Sequence, residues 1–140
     1  METKELKDYE VLINIFFPFA EEMLRKYGEF HPYAGAINNE GEVVSVGQYN
    51  SDESAEPENM ISNLKNSLRL KKDNFKVGII FYDVRTTDSV TNETTDAIAV
   101  FVEHKEGESA YEFFYPYKLS GKEELNIDEG FGNKIPREIF

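Results

Sequence analysis

Phe75–Arg85 reads FKVGIIFYDVR, and Asp96–His104 reads DAIAVFVEH. Both stretches are dense in β-branched and aromatic residues, the composition of strands. Their apolarity is nearly continuous rather than alternating, which predicts central strands covered on both faces. A third stretch, AYEFFYPY at Ala110–Tyr117, alternates, with Tyr111, Phe113, Tyr115 and Tyr117 on one side. Glu106-Gly107-Glu108 marks a tight turn between the second and third stretches. Pro116 lacks a ladder donor, which predicts an edge position or a strand end.

Working outward, Leu6, Tyr9, Ile13, Phe16, Ala20, Leu24 and Tyr27 recur at three- and four-residue steps. This stripe predicts a helix from about Lys4 to Tyr27, with Gly28 as its C-cap. Pro18 falls inside it, but the stripe stays in phase, so the expectation is one kinked helix rather than two. Pro32–Asn38 and Glu42–Tyr49 read as a hairpin closed by Asn38-Asn39-Glu40-Gly41. Asn50–Glu56 is a polar, acidic loop. Pro57 suits the first turn of a second helix, whose stripe is Met60, Ile61, Leu64 and Leu68. Glu56 and Glu58 at its start and Lys71 and Lys72 at its end match the helix dipole.

Beyond Gly121 the signal weakens. Leu125 and Ile127 suggest one more short strand, and Phe131, Ile135, Ile139 and Phe140 a tail pinned to the core. Residues 1–140 therefore read as a single α+β domain. The expected architecture is a two-layer sandwich in the order α-β-β-α-β-β-β. A mainly antiparallel sheet of about five strands carries both helices on one face. Phe17-Pro18-Phe19, His31-Pro32-Tyr33 and Tyr115-Pro116-Tyr117 share an aromatic ring or imidazole on each side of a proline, and read mainly as places where elements bend or stop.

Phe and Tyr together number 19 and Trp is absent, so these rings must supply much of the core. A chain of 140 residues buries roughly two-thirds of its extended surface without crosslinks. The lack of cysteine excludes disulfides, thiol nucleophiles and iron–sulfur clusters, and suits a reducing compartment. The first residues lack the features of a signal peptide, and no apolar run approaches membrane-spanning length. The expectation is a cytoplasmic protein that does not contact membranes.

The net charge of −12 opposes binding to nucleic acid and favours a basic partner. The excess is spread out: residues 1–70 carry 13 acids and 6 bases, and residues 71–140 carry 14 acids and 9 bases. A basic cluster at Lys65, Arg69, Lys71, Lys72 and Lys76 reads as the end of the second helix rather than a nucleic-acid patch.

No phosphate-binding loop, dinucleotide fingerprint, zinc helix motif, calcium loop or nucleophile elbow is present. No catalytic set, metal site or cofactor is therefore expected. The long loop Thr86–Thr95, flanked by Asp83, Arg85 and Asp96, is a candidate binding element, with Arg85 held in an internal ion pair. The candidate binding residues are Tyr33, Asp83, Arg85, Asp88, Asp96, His104, Tyr115 and Tyr117. Composition is analogous to that of a small inhibitor of the immunity or antitoxin kind, a non-enzymatic module that neutralises a basic protein, acting as a monomer or homodimer. One alternative is a small-molecule or sensory domain with an aromatic pocket. Another is a hydrolase-type enzyme using His104 and Glu103.

Overall fold

The structure is a computed structural model that describes residues 4–46, 57–87, 92–120 and 124–140. Tyr49, the Asn50–Glu56 loop and Asp88 lie outside the described residues. The order is α1 (Lys4–Tyr27), β1 (Tyr33–Asn38), β2 (Val43–Val46), α2 (Pro57–Leu70), β3 (Phe75–Thr87), β4 (Thr94–His104), β5 (Ala110–Ser120), β6 (Glu124–Ile127) and β7 (Phe131–Ile135). All pairings are antiparallel, in the order β2-β1-β3-β4-β5-β6. β7 shares the outer edge of β5 with β6.

The α+β class is as expected, but two details differ. The sheet has seven strands, because the weak signals after residue 121 form two short ones. The helices also lie on opposite faces, not together on one. Successive side chains of a strand point to opposite sides. In β3, Val77, Ile79 and Phe81 pack with Tyr9, Leu12, Ala20 and Leu24 of α1. Ile80 and Tyr82 pack with Leu68 of α2 and with Ile139 of the tail. In β4, Ile98, Val100 and Val102 face α1, while Ala99 and Phe101 face α2. The physical reason is the apolar run itself. A strand that is apolar on both faces needs cover on both, and a two-layer arrangement leaves one of them wet.

α1 is a single helix of 24 residues that continues through Pro18. Proline removes one intrahelical donor, and nearby the Tyr33 hydroxyl donates to the Phe16 carbonyl at 2.6 Å. The Phe16 ring lies directly over Gly35, where an added Cβ would sit 2.4 Å from ring carbons. Gly28, with φ +74°, donates to the Leu24 carbonyl at 2.9 Å and ends the helix as the sequence predicts.

Pro116 is neither at a free edge nor at a strand end, since β5 continues to Ser120. Its carbonyl accepts from the Asp128 N–H at 2.8 Å, so its missing N–H faces the same edge. On that edge β7 pairs with residues 110–114 and β6 with residues 117–120. The proline thus occupies the break between two short strands, where no donor is needed.

The tail is held by a fully buried carboxylate. Glu103 points to the α2 face, and its Oε1 accepts the N–H groups of Glu138 at 2.7 Å and Ile139 at 3.0 Å. Its Oε2 accepts the Phe140 N–H at 2.7 Å and lies 3.5 Å from Arg137 Nε. A buried carboxylate persists only with such multiple partners. Glu103→Ala is therefore expected to cost about 3 kcal/mol in urea unfolding, since hydrogen bonds to charged groups contribute about 1.5–3 kcal/mol each and the freed tail recovers part of this from water. Hydrogen exchange at Glu138–Phe140 should accelerate in the same variant. Unchanged protection there would show that the carboxylate does not hold the tail.

Candidate functional site

Of the eight residues singled out from sequence, the seven that are described share the α1 face of the sheet. Tyr33, Asp83, Arg85, Asp96, His104, Tyr115 and Tyr117 all fall at register positions in phase with the residues packed on α1. They divide between two ends. His104 pairs with Val77 at one end of β3, and the rest cluster toward Asp83 at the other.

At the Asp83 end, the turn after Gly28 folds the chain back so that Glu29, Phe30, His31 and Pro32 reach the end of β3. With Asp83 they line a cavity of about 210 Å³. Beneath it the buried Tyr117 donates from its hydroxyl to Asp83 Oδ1 at 2.8 Å. Burial pushes the Asp83 carboxyl up to about 6, and the negative charges of Asp96 and Glu29 add to the rise, while the Tyr117 hydrogen bond opposes it. Burial, with Asp83 beside it, holds the Tyr117 phenol well above its ordinary value. Arg85 does not reach Asp83. It pairs across the strands with Asp96 at 3.4 Å, an exposed contact of the kind expected from sequence and of small energetic weight. The result is a partly enclosed carboxyl with two acids near it and no cation among its described partners.

Tyr33 serves the core. Its ring stacks on Phe81 at 5.0 Å and meets Phe19 and Phe30 edge-on. Tyr115 packs edge-on against Phe17 at 5.1 Å, with Gly130 close over its ring. The row Tyr111, Phe113, Tyr115 and Tyr117 is packed under α1 and does not form an open aromatic pocket.

At the other end, His104 is buried against α1. Its Nδ1 accepts the Glu106 N–H at 3.2 Å, so the ring proton sits on Nε2 and is donated to Asp8 at 2.9 Å. Lys76 Nζ lies 3.6 Å from the same Asp8 oxygen. The neighbouring Tyr9 hydroxyl is buried close to the His104 backbone but makes no hydrogen bond of normal geometry among the described residues. Glu103, adjacent in sequence, points through the sheet to the opposite face, so the Glu103–His104 pair does not converge. His31 stands beside Asp83, six residues along β3 from the level of His104, a separation of about 20 Å at ~3.3 Å per residue. Among the described residues no group of three or more His, Cys, Asp or Glu side chains could hold a metal ion. None of the described helices is long and apolar enough to cross a membrane.

A second, more open groove of about 430 Å³ is lined by Lys72, Asp73, Lys105, Glu106, Arg137 and Phe140. Three members of the basic cluster seen in sequence enter internal contacts, while Lys72 lines this groove. Lys65 pairs with Glu138 at 2.9 Å, Arg69 donates to the Glu138 carbonyl and to Asn66, and Lys76 turns toward Asp8.

No motif in the sequence marks Glu29, Phe30 and Pro32 as pocket walls, Asp8 as the partner of His104, or Lys76 as a second partner of Asp8. The C-cap at Gly28 marks where the helix stops, and it is the one available signal that residues 29–32 leave the α1 axis. Compared with known protein families, curated proteins and solved structures, the chain matches none of them.

The raised Asp83 value has a defined consequence for stability. Unfolded, an aspartate ionises near 3.8, and folded, this one ionises near 6. Ionisation therefore costs the folded state stability as pH rises from about 4 to 6, and the full cost stands above that window. Asp83→Asn should be more stable than the parent at pH 7.5 by about 1 kcal/mol, after allowance for partial exposure, with the difference vanishing near pH 4. Thermal unfolding across this pH range checks it.

Proposed function

We propose that the protein is a non-enzymatic binding module that captures a basic protein partner through the acidic end of its sheet. The observation that carries this reading is the Asp83 pocket. A partly buried carboxyl is kept near 6 by burial and by Asp96 and Glu29, in a chain of net charge −12. A guanidinium or ammonium group entering the pocket supplies the missing countercharge, and the apolar walls Phe30 and Pro32 suit the methylene stem of Arg or Lys. Charge of one sign around a cleft also steers an oppositely charged partner into encounter. The lack of cysteine is in keeping with a reducing compartment such as the cytoplasm. An inhibitor of the immunity or antitoxin kind is the form of binding module this composition resembles most.

A hexa-arginine peptide serves as a probe in isothermal titration. Binding is expected to weaken at least tenfold between 50 and 200 mM salt, as ion pairing does. Asp83→Asn combined with Glu29→Gln should weaken it further at fixed salt, by about tenfold, and the same neutralisations at the distant Glu40 and Glu42 should do so by much less. Equal effects from both pairs would mean that the peptide reads only net charge, and would overturn the assignment to this end of the sheet.

A further inference from the structure

Val11–Ala20 reads VLINIFFPFA, ten consecutive residues of α1 without a charge. Half of this segment is accounted for. Leu12, Phe16, Phe17 and Ala20 pack on the sheet. The other half faces away from it: Val11 is 43%, Ile15 51% and Phe19 47% exposed, and Pro18 is exposed beside them. A surface helix normally carries charge on its outer side, and one that is apolar all round is normally covered all round. The α2 helix follows the usual pattern, with Ser62, Asn63 and Asn66 on its exposed positions.

The outer stripe of α1 has a definite sequence. Lys7, Val11, Ile15, Pro18 and Glu22 follow one another at steps of four, four, three and four, which places all five on one side of the helix. Lys7 and Glu22 are both exposed. Glu22 meets Lys26 one turn on at 2.9 Å, an exposed contact that leaves it open to a second cation. The stripe therefore runs from a base through an apolar middle to an acid. Such a pattern is self-complementary under a two-fold axis and repels itself in the parallel sense.

We propose that the outer stripe of α1 binds a second copy of this chain, antiparallel, about a two-fold axis passing between Asn14 and Ile15. This register sets Lys7 against Glu22 of the partner subunit twice over, and Val11 against Pro18 of the partner subunit, with both copies of Ile15 near the centre. Charge distribution favours a copy of the chain over a basic partner at this face. Residues 4–27 contain four bases and five acids, so α1 carries one of the twelve net negative charges, and two acidic molecules approach here with little repulsion. Phe19 is pre-ordered for contact by its edge-on packing against Tyr33 at 4.9 Å. About three turns of one helix fall short of the ~800 Å² per partner of a stable interface. The dimer is accordingly reversible and concentration-dependent.

Sedimentation equilibrium from micromolar to millimolar protein tests this. The mass should rise from 16.1 kDa toward twice that value. Ile15→Glu should stay at 16.1 kDa throughout with an unchanged melting temperature, since the site is exposed. Lys7→Glu should weaken the dimer about fivefold by loss of two exposed ion pairs, and adding Glu22→Lys should restore it. A parent protein that remains monomeric overturns the proposal, as does a dimer that survives Ile15→Glu. A double charge reversal that fails to restore association overturns the antiparallel register. Binding of the monomeric parent to zwitterionic lipid vesicles, lost in Ile15→Glu, would assign the stripe to lipid instead.

Discussion

Everything in this fold follows from the need to cover β3 and β4 on both sides. Val77, Ile79, Ile80 and Phe81, and the whole of Ala97–Val102, are shut off from water. Fully burying a large apolar side chain contributes about 1.5–3 kcal/mol, so leaving either face open would forfeit many such increments. α1 spans one face with 24 residues. α2 has 14 and leaves part of the other face to the tail residues Ile139 and Phe140. A tail of a few residues has little area with which to hold itself down, and Glu103 supplies the remaining attachment through three backbone N–H groups. Strand alternation then dictates that the next residue, His104, faces α1, where it is tied to Asp8.

The same alternation arranges charge along the strands. At the start of β3 the bases Lys72, Lys105 and Arg137 share one groove with the acids Asp73 and Glu106, and Arg137 also reaches Glu103 and the Lys105 carbonyl. At the far end Asp83, Asp96 and Glu29 stand together with Arg85 as the nearby base, and that base is already engaged by Asp96. Among the described residues, one end thus has charges that are largely answered internally and the other has charges that are not. That asymmetry, more than the total of −12, is what the proposed capture of a basic partner would draw on.

The legibility of these features in the sequence varied with how local their causes are. α1, the β1–β2 turn, α2 and the long central strands were all readable, because periodicity and turn chemistry are local. The double cover is also written in the uninterrupted run of Val77–Tyr82, which requires a layer on each face, whereas hairpin order alone does not fix which face each helix takes. β6 and β7 were faint because they are short and mostly exposed, and because Gly130 and Gly132 are small to let Tyr115 and Phe113 lie across them. Proximity in sequence to His104 makes Glu103 a candidate catalytic acid, although neighbours in a strand cannot share a face. An acid within VFVEH is rarely fully buried without fixed partners, and that is the signal for its structural role. Of the candidate site, Asp83, Arg85 and Asp96 are marked by their flanking of a loop, and Tyr117 by its place in the aromatic row of 111–117. Glu29 and His31 join them through a chain reversal that no spacing rule connects to β3.

Asp83 is an under-compensated carboxyl among the described residues, and in the proposed function a cationic group completes it. The most direct measurement is a side-chain carboxyl NMR titration of Asp83, free and saturated with the arginine peptide. The account predicts an apparent value of about 6 in the free protein, falling toward or below the ordinary 3.8 when the peptide is bound. An Asp83 that titrates near 4 in the free protein, or that keeps its value when the peptide is bound, would contradict it.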